Sequence, residues 1–377
     1  MRPLVLIALA ACSSPPSAPA NDGGVDAQDE ASLDASSEAA FVEAPHPLPP
    51  PIPTNGGGVL ANAQIVVVTF ANYTYADDVE AMADWVGTSN WLAAVGGEYG
   101  VGQTSVLAKV RIPTSAPAFT KTSDFSQWMI SNVGSALPSP PSASTFYAVI
   151  FPEGETFTDP DIGVMCSAFT GYHDAIASEY AFAAIGTCPN DQPNLTDLQQ
   201  VERVFSHELI EALTDPFGTG YAARDPNDPW SSVFGGEVAD VCNGYFDEDG
   251  FLAVRSWSNA AAAQDRDPCE PLETASAYFS LGVPRTVQHQ SAGTTATYTF
   301  TAYANAPTSD WTISIAEILS TYVPTVTLAP KTVGNGDTAT LEVTLPANAS
   351  GAATILVHSM HAGDATYALA PTEIVAP

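Results

Sequence analysis

The segment Phe205-Ser206-His207-Glu208-Leu209-Ile210-Glu211-Ala212-Leu213-Thr214-Asp215-Pro216 constrains the fold more than any other. Residues 195–214 predict a helix, with Asn194 or Thr196 as its cap and Asp215-Pro216 as its stop. At about 100° per residue, His207 and Glu211 stand one above the other, and Glu208 and Asp215 fall on the same arc. Phe205, Leu209, Ile210 and Leu213 cover most of the remaining surface. A helix that is apolar on nearly all sides belongs inside a globule. Its narrow stripe of one imidazole and three carboxylates then needs compensation, because isolated buried charge is very costly. A divalent cation would provide it. The competing reading is a helix whose acidic side faces water.

The order His-Glu-x-x-Glu differs by one residue from the HExxH helix of zincins. In that motif the first and last residues bind zinc and the Glu after the first His polarises water. His207 and Glu211 then become ligands and Glu208 the general base. A third ligand is sought in Gly235-Gly236-Glu237-Val238-Ala239-Asp240-Val241-Cys242, where Glu237 and Asp240 are expected to share one face of a helical turn. This resembles the gluzincin arrangement, in which a downstream helix gives a Glu ligand and an Asp that orients the first His. The resemblance makes Glu237 the ligand and Asp240 its support; the opposite assignment stays open. Two carboxylates and a neutral imidazole cancel the charge of Zn²⁺. That weakens its Lewis acidity and lets harder divalent cations compete.

The N-terminus reads as a targeting signal. Met1-Arg2-Pro3 is a short basic start, and the apolar run from Leu4 to Ala11 is far too short to span a bilayer. Leu9-Ala10-Ala11-Cys12 resembles the lipobox of bacterial lipoproteins, in which cleavage precedes a lipidated Cys. Residues 1–11 are therefore expected to be removed, and Cys12 to carry the anchor. Residues 12–58 hold seven acidic residues, no Lys or Arg, and prolines crowded at 45–53. They predict a disordered, self-repelling tether. No other stretch is long and apolar enough to cross a membrane, so the lipid is the expected membrane contact.

The folded remainder divides by composition. Residues 59–274 read as a mixed α/β domain of zincin-like type. Ile65–Phe70, Ala143–Phe151 and Tyr180–Ile185 are strands, and a helix runs from Asp77 to Ala94. Residues 275–377 are rich in Thr, Ala and Val. Ala296, Tyr298, Phe300 and Ala302 alternate with threonines, as do Ala339, Leu341, Val343 and Leu345 with Thr and Glu. This predicts a small antiparallel β-sandwich of immunoglobulin-like pattern, read as a spacer or stabilising module. Beyond Cys12, Cys166, Cys188, Cys242 and Cys269 form an even set, which in an exported chain implies two disulfides. Three pairings are possible; proximity in sequence favours 166–188 and 242–269.

Several segments, in order, resemble the plant EXORDIUM (phosphate-induced protein) family and its bacterial relatives. They are residues 89–100 (Ser-Asn-Trp-Leu-Ala-Ala-Val-Gly-Gly-Glu-Tyr-Gly), Cys166 to His173, Tyr180 to Cys188, Ser206-His207-Glu208-Leu209 with Glu211, and Gly236 to Asn243. The resemblance implies export and a role at the cell wall, and makes His173 an extra candidate beside the metal. A loop His bonding locally is the plainer reading of His173.

The charge narrows the partners. Ten Lys and Arg against 42 Asp and Glu give a net charge of −32, which leaves too few bases to neutralise a nucleic-acid backbone. The acidic turns Asp225–Pro229 and Asp247–Gly250 lack a full EF-hand loop and read as solvated turns. Trp85, Trp91, Trp128, Trp230 and Trp257 read mainly as packing. Two functions remain. One is a zinc metallopeptidase-like hydrolase on the cell envelope, anchored to the outer membrane or cell surface and acting on peptide or protein. The other is a non-catalytic surface protein that binds cell-wall polymer and uses the metal as a brace.

Overall fold

The protein was analysed as a computed structural model that describes residues 40–377 apart from 155–156, 161, 190, 193, 234, 243, 273–276 and 363–366. The signal, Cys12 and most of the expected tether lie outside the described residues.

Alternate residues of three strands feed two separate cores. Strand β1 (Gln64–Thr69), β2 (Ser105–Arg111), β3 (Thr145–Phe151), β4 (Gly171–Ile176) and β5 (Tyr180–Gly186) form a sheet in the order β2-β1-β3-β5-β4. The first four run parallel and β4 is an antiparallel edge. Ile65 and Val67, Phe146 and Ile150, Ala181 and Ile185 point to one face. Val66 and Val68, Tyr147 and Phe151, Tyr180 and Phe182 point to the other. Continuous apolar runs are what such a doubly covered strand requires.

Helix α1 (Ala76–Val86) and α2 (Asn90–Gly96) replace the single helix expected over 77–94. At Gly87 a β-carbon would stand 2.5 Å from the Thr104 carbonyl oxygen. Ser89 then restarts the helix by accepting the Leu92 N–H. Helix α3 (Thr122–Asn132) covers the second face through Phe125 and Met129. Helix α4 (Asp197–Thr214) covers the first face and starts with a reciprocal cap between Thr196 and Gln199. Its Val201, Phe205, Leu209, Ile210 and Leu213 are buried. The hairpin β6 (Tyr245–Glu248) and β7 (Phe251–Val254) docks on α4. There Glu202 accepts the Leu252 N–H at 3.1 Å and Ser206 accepts the Val254 N–H at 3.0 Å. A short helix, α5 (Asn259–Ala263), follows.

The C-terminal part is a β-sandwich. One sheet contains β8 (Phe279–Gly282), β10 (Thr295–Ala304), β14 (Thr338–Thr344) and β12 (Thr325–Ala329), in that order. The other contains β9 (Gln288–His289), β16 (Ala368–Ala376), β15 (Gly351–Met360), β11 (Trp311–Ser320) and β13 (Thr332–Val333). Pairing is antiparallel except between β9 and β16. Phe300, Ala302, Leu341 and Val343 from one sheet meet Trp311, Ile355, Val357 and Ile374 from the other in a shared core. Leu356 of β15 packs into the α/β core instead, and both parts belong to one compact unit, Phe41–Pro377.

Residues 41–58 differ from the tether expected there. Ile52 is fully buried in the α/β core. Its N–H donates to Asn259 Oδ1 at 2.6 Å, and Asn259 Nδ2 donates back to the Ile52 carbonyl at 2.9 Å. The carbonyl of Pro50 accepts from the Trp257 indole at 3.1 Å, and that of Pro53 from the Ala222 N–H at 3.1 Å. Prolines are already extended and lack N–H groups, so docking them costs little chain entropy and strands no donor.

Cys166 is bonded to Cys188 and Cys242 to Cys269. Structural disulfides of this kind belong to a compartment outside the reducing cytoplasm.

Candidate metal centre

Helix α4 sets His207 and Glu211 one turn apart, with His207 Nε2 3.2 Å from Glu211 Oε1. The turn that follows Gly235 and Gly236 brings Asp240 to them. Both glycines have positive φ, of 120° and 70°, and a β-carbon on Gly236 would meet the Ala223 carbonyl at 2.8 Å. Segment 235–242 is therefore a turn rather than the helical turn expected. It is fixed from three sides. The Val238 carbonyl accepts the Trp257 N–H at 2.8 Å and the Ser256 hydroxyl at 3.1 Å, and Cys242 is tied to Cys269. Asp240 Oδ1 then stands 3.4 Å from His207 Nε2, while the Asp240 N–H donates to Glu211 Oε1 at 3.2 Å.

The three ligand atoms of His207, Glu211 and Asp240 lie within 4.8 Å of one another. A tetrahedral zinc ion with bonds of about 2.0–2.1 Å separates its ligands by about 3.3 Å. The two separations from His207 match that edge. The donor set of one imidazole and two carboxylates fits zinc and is also open to harder divalent ions.

A second group shares Glu211. His173 Nδ1 is 3.6 Å from Glu208 Oε2 and 3.7 Å from Glu211 Oε2, and His173 Nε2 is 3.8 Å from Glu237 Oε2. His173 lies on strand β4, not in a loop. Tyr172 faces the second core, so the strand's alternation turns His173 towards α4. Glu208 is held close to β4 because residue 171 is Gly: a β-carbon there would come within 2.7 Å of Glu208 Oε1. Glu237 sits apart from the His207 set, between His173 and Arg224, whose Nη2 is 3.8 Å away. Asp215, expected on the polar stripe, instead accepts the Gly220 N–H and the Arg224 guanidinium, each at 2.5 Å.

The electrostatics of the cluster show a shortage of positive charge. Burial pushes the Glu237 carboxyl up to about 9 and, with Glu211 adjacent, the Asp240 carboxyl up to about 7. Burial works against charge on both imidazoles, but the surrounding carboxylates outweigh it. His173 is carried up to about 10, chiefly by Glu237, and His207 is held well above its ordinary range by Glu211 and Asp240. Glu211 is also disfavoured by burial, yet His207 and His173 hold it below the usual carboxylate range. Both imidazoles thus favour the charged form, and Glu237 and Asp240 favour the protonated one.

His207, Glu208 and Asp240 form the floor of a cleft of about 690 Å³. The disulfide loop from Cys166 to Gly171 makes one wall, and Glu317, His358 and Tyr367 of the sandwich make another. The His358 and Tyr367 rings stack at 3.4 Å.

The other acidic turns are occupied by backbone N–H groups. Asp225 accepts the Asn227 N–H, Asp228 caps the turn at Pro229–Ser232, and Glu248 accepts the N–H of Trp91. Trp85, Trp91, Trp230 and Trp257 are core residues and Trp128 packs against the second core. Arg224 had no motif to announce it.

No family model and no curated protein matches the chain. Among solved structures it is similar to domains 4 and 5 of the S-layer protein SbsC. The identity is 19%, covering 37% of this chain and 95% of that one, with a TM-score of 0.20. A geometric likeness that slight carries no argument about fold or function.

Proposed function

We propose that the protein is an exported, lipid-anchored zinc metalloprotein with metallopeptidase-like hydrolytic activity. The observation that carries this reading is the convergence of His207 Nε2, Glu211 Oε1 and Asp240 Oδ1 at zinc-ligand spacing, with His207 and Asp240 lining a cleft also lined by Glu208. These three residues would hold the ion, which when bound supplies Lewis acidity for polarising a carbonyl. Glu208 faces the same cleft and serves as the general base towards an attacking water. His173 orients the Glu208 carboxylate through Nδ1. Among the described residues β4 pairs on one side only, with β5, so an extended peptide can add to its free edge beside the metal site. Substrate is accordingly read as peptide or protein.

The antiparallel edge strand beside the helix supports a zincin-like reading of the α/β part, and the two-sheet core an immunoglobulin-like reading of the sandwich. The ordered EXORDIUM-like segments support a place in that family's wider group. Lipidation of Cys12 supports an outer-membrane or cell-surface location.

A second reading is favoured by the charge count at the same site: two carboxylates cancel the ion's charge and blunt its Lewis acidity. In that reading the metal braces the fold, and the cleft with its sandwich wall binds cell-wall polymer. Zinc-loaded protein assayed on an unstructured protein substrate separates the two. The hydrolase reading expects turnover that Glu208→Gln reduces at least about 100-fold with metal content unchanged. Absence of turnover, with melting that drops sharply on chelation, overturns it in favour of the brace.

A further inference from the structure

A second His–carboxylate cluster, none of whose residues lines the cleft, lies where residues 41–58 cross the body. His46 is 5% exposed in its side chain and stacks flat on Tyr303 of strand β10, the ring centres 3.4 Å apart and the planes 5° from parallel. Its Nδ1 is 2.8 Å from the Ala44 carbonyl oxygen. A carbonyl only accepts, so Nδ1 carries the hydrogen, and in the neutral ring Nε2 holds the lone pair. That lone pair points at two carboxylates, Asp265 Oδ1 at 3.0 Å and Glu43 Oε1 at 3.5 Å. Such a meeting is repulsive unless a proton or a cation stands between the groups. One proton on Nε2 serves Asp265 alone. Glu43 Oε1 is sealed from water, and burial together with the Asp265 carboxyl beside it holds Glu43 above the usual carboxylate range. A divalent ion satisfies all three atoms at once, and they lie within 4.8 Å of one another.

We propose that Glu43, His46 and Asp265 form a second divalent-cation site that clasps the N-terminal strap to the body. The separations of 3.0 and 3.5 Å from Nε2 bracket the edge of about 3.3 Å expected around zinc, and one imidazole with two carboxylates neutralises a 2+ ion. The Nδ1–H to carbonyl bond is the usual outer support of a metal-binding His. Asp265 is itself fixed: it adopts φ of 54°, and its carbonyl accepts Asn305 Nδ2 at 2.9 Å. The ion would therefore join three stretches that are distant in sequence, namely the strap, the turn after α5 and, through the Tyr303 stack, the sandwich. The clasp is independent of the cleft site and of any catalysis there.

The test uses the full chain, stripped by chelator, dialysed and titrated with zinc alone. Asp265→Asn combined with Glu43→Gln keeps shape and hydrogen bonding while removing both charges. The proposal expects this double variant to bind one equivalent of zinc fewer than wild type, and zinc to slow proteolysis within residues 41–58 at least tenfold in wild type only. Equal uptake by the two proteins means a shared proton or an ion pair only, and overturns it. Should the double variant not fold, a chain carrying His173→Ala and His207→Ala decides. It must still take up zinc and show the strap protected; no uptake there overturns the proposal.

Discussion

Glu211 and His207 stand one helical turn apart with 3.2 Å between Oε1 and Nε2, and the same Glu211 oxygen accepts the backbone N–H of Asp240. The helix thus orients its own acid, and that acid anchors the turn bringing the second oxygen. The order of importance among the acids follows. Asp240→Ala should weaken zinc binding by at least about 10–100-fold, the range seen when even outer partners are lost. Glu237→Ala should weaken it less, since Glu237 faces His173 and Arg224. Competition against a chromophoric chelator measures both. The reverse ranking would make Glu237 the ligand.

Gly171 is where strand β4 touches α4. An added methyl would meet Val204 Cγ1 at 2.6 Å and Glu208 Oε1 at 2.7 Å. Gly171→Ala should cost about 1–3 kcal/mol of stability by overpacking and displace the Glu208 carboxylate. Chemical unfolding gives the first quantity and the activity of the zinc-loaded variant the second. A variant with wild-type stability would mean that the strand yields.

Glu202 couples stability to pH. Burial pushes its carboxyl from 4.5 up to about 7, partly opposed by the Leu252 N–H it accepts. Because the folded value is raised, the fold favours the protonated form. Its contribution is full below about 4.5 and is lost as pH rises towards 7. Glu202→Gln should melt higher than wild type at pH 8 and about level with it at pH 4.5, a gain of roughly 1 kcal/mol after solvent screening. An equal difference at both pH values rules out titration as the cause.

The Cys242–Cys269 bridge closes a separation of 27 residues, and Asp240 lies two residues before Cys242. Replacing both cysteines by Ser should lower stability by about 3 kcal/mol and also loosen Asp240, so zinc affinity falls at temperatures where the variant is folded. Unchanged affinity would mean that the Val238 hydrogen bonds hold the turn unaided.

Helix α4 was legible in the sequence because everything that makes it is local: the apolar period, the Thr196 cap with Gln199, and the Asp215 stop. The alternating threonines of β10 and β14 were legible for the same reason. Both disulfides join the cysteines nearest in sequence. Which of Glu237 and Asp240 stands beside His207 was not legible, since it depends on two left-handed glycines four and five residues before Asp240. His173 was hidden because its direction is fixed by pairing with β5, and that pairing sets which face each residue of β4 takes. The break in the first helix had a signal, Gly87-Thr88-Ser89, that was outweighed by the apolar spacing around it. The strap was misread through composition: proline-rich, acidic sequence has little to bury in general, yet Ile52 reaches the α/β core and Ala44 is buried with Tyr278 and Tyr303.

Leu356 faces away from its own sandwich and joins the core that α4 helps to form, and Leu319 and Leu369 pack against the same core. Severing the chain near residue 274 to study either half would therefore bare a greasy seam on both fragments and strip the cleft of one side. Intact protein should lose its structure in a single cooperative step, and the halves should be insoluble or sticky when made separately.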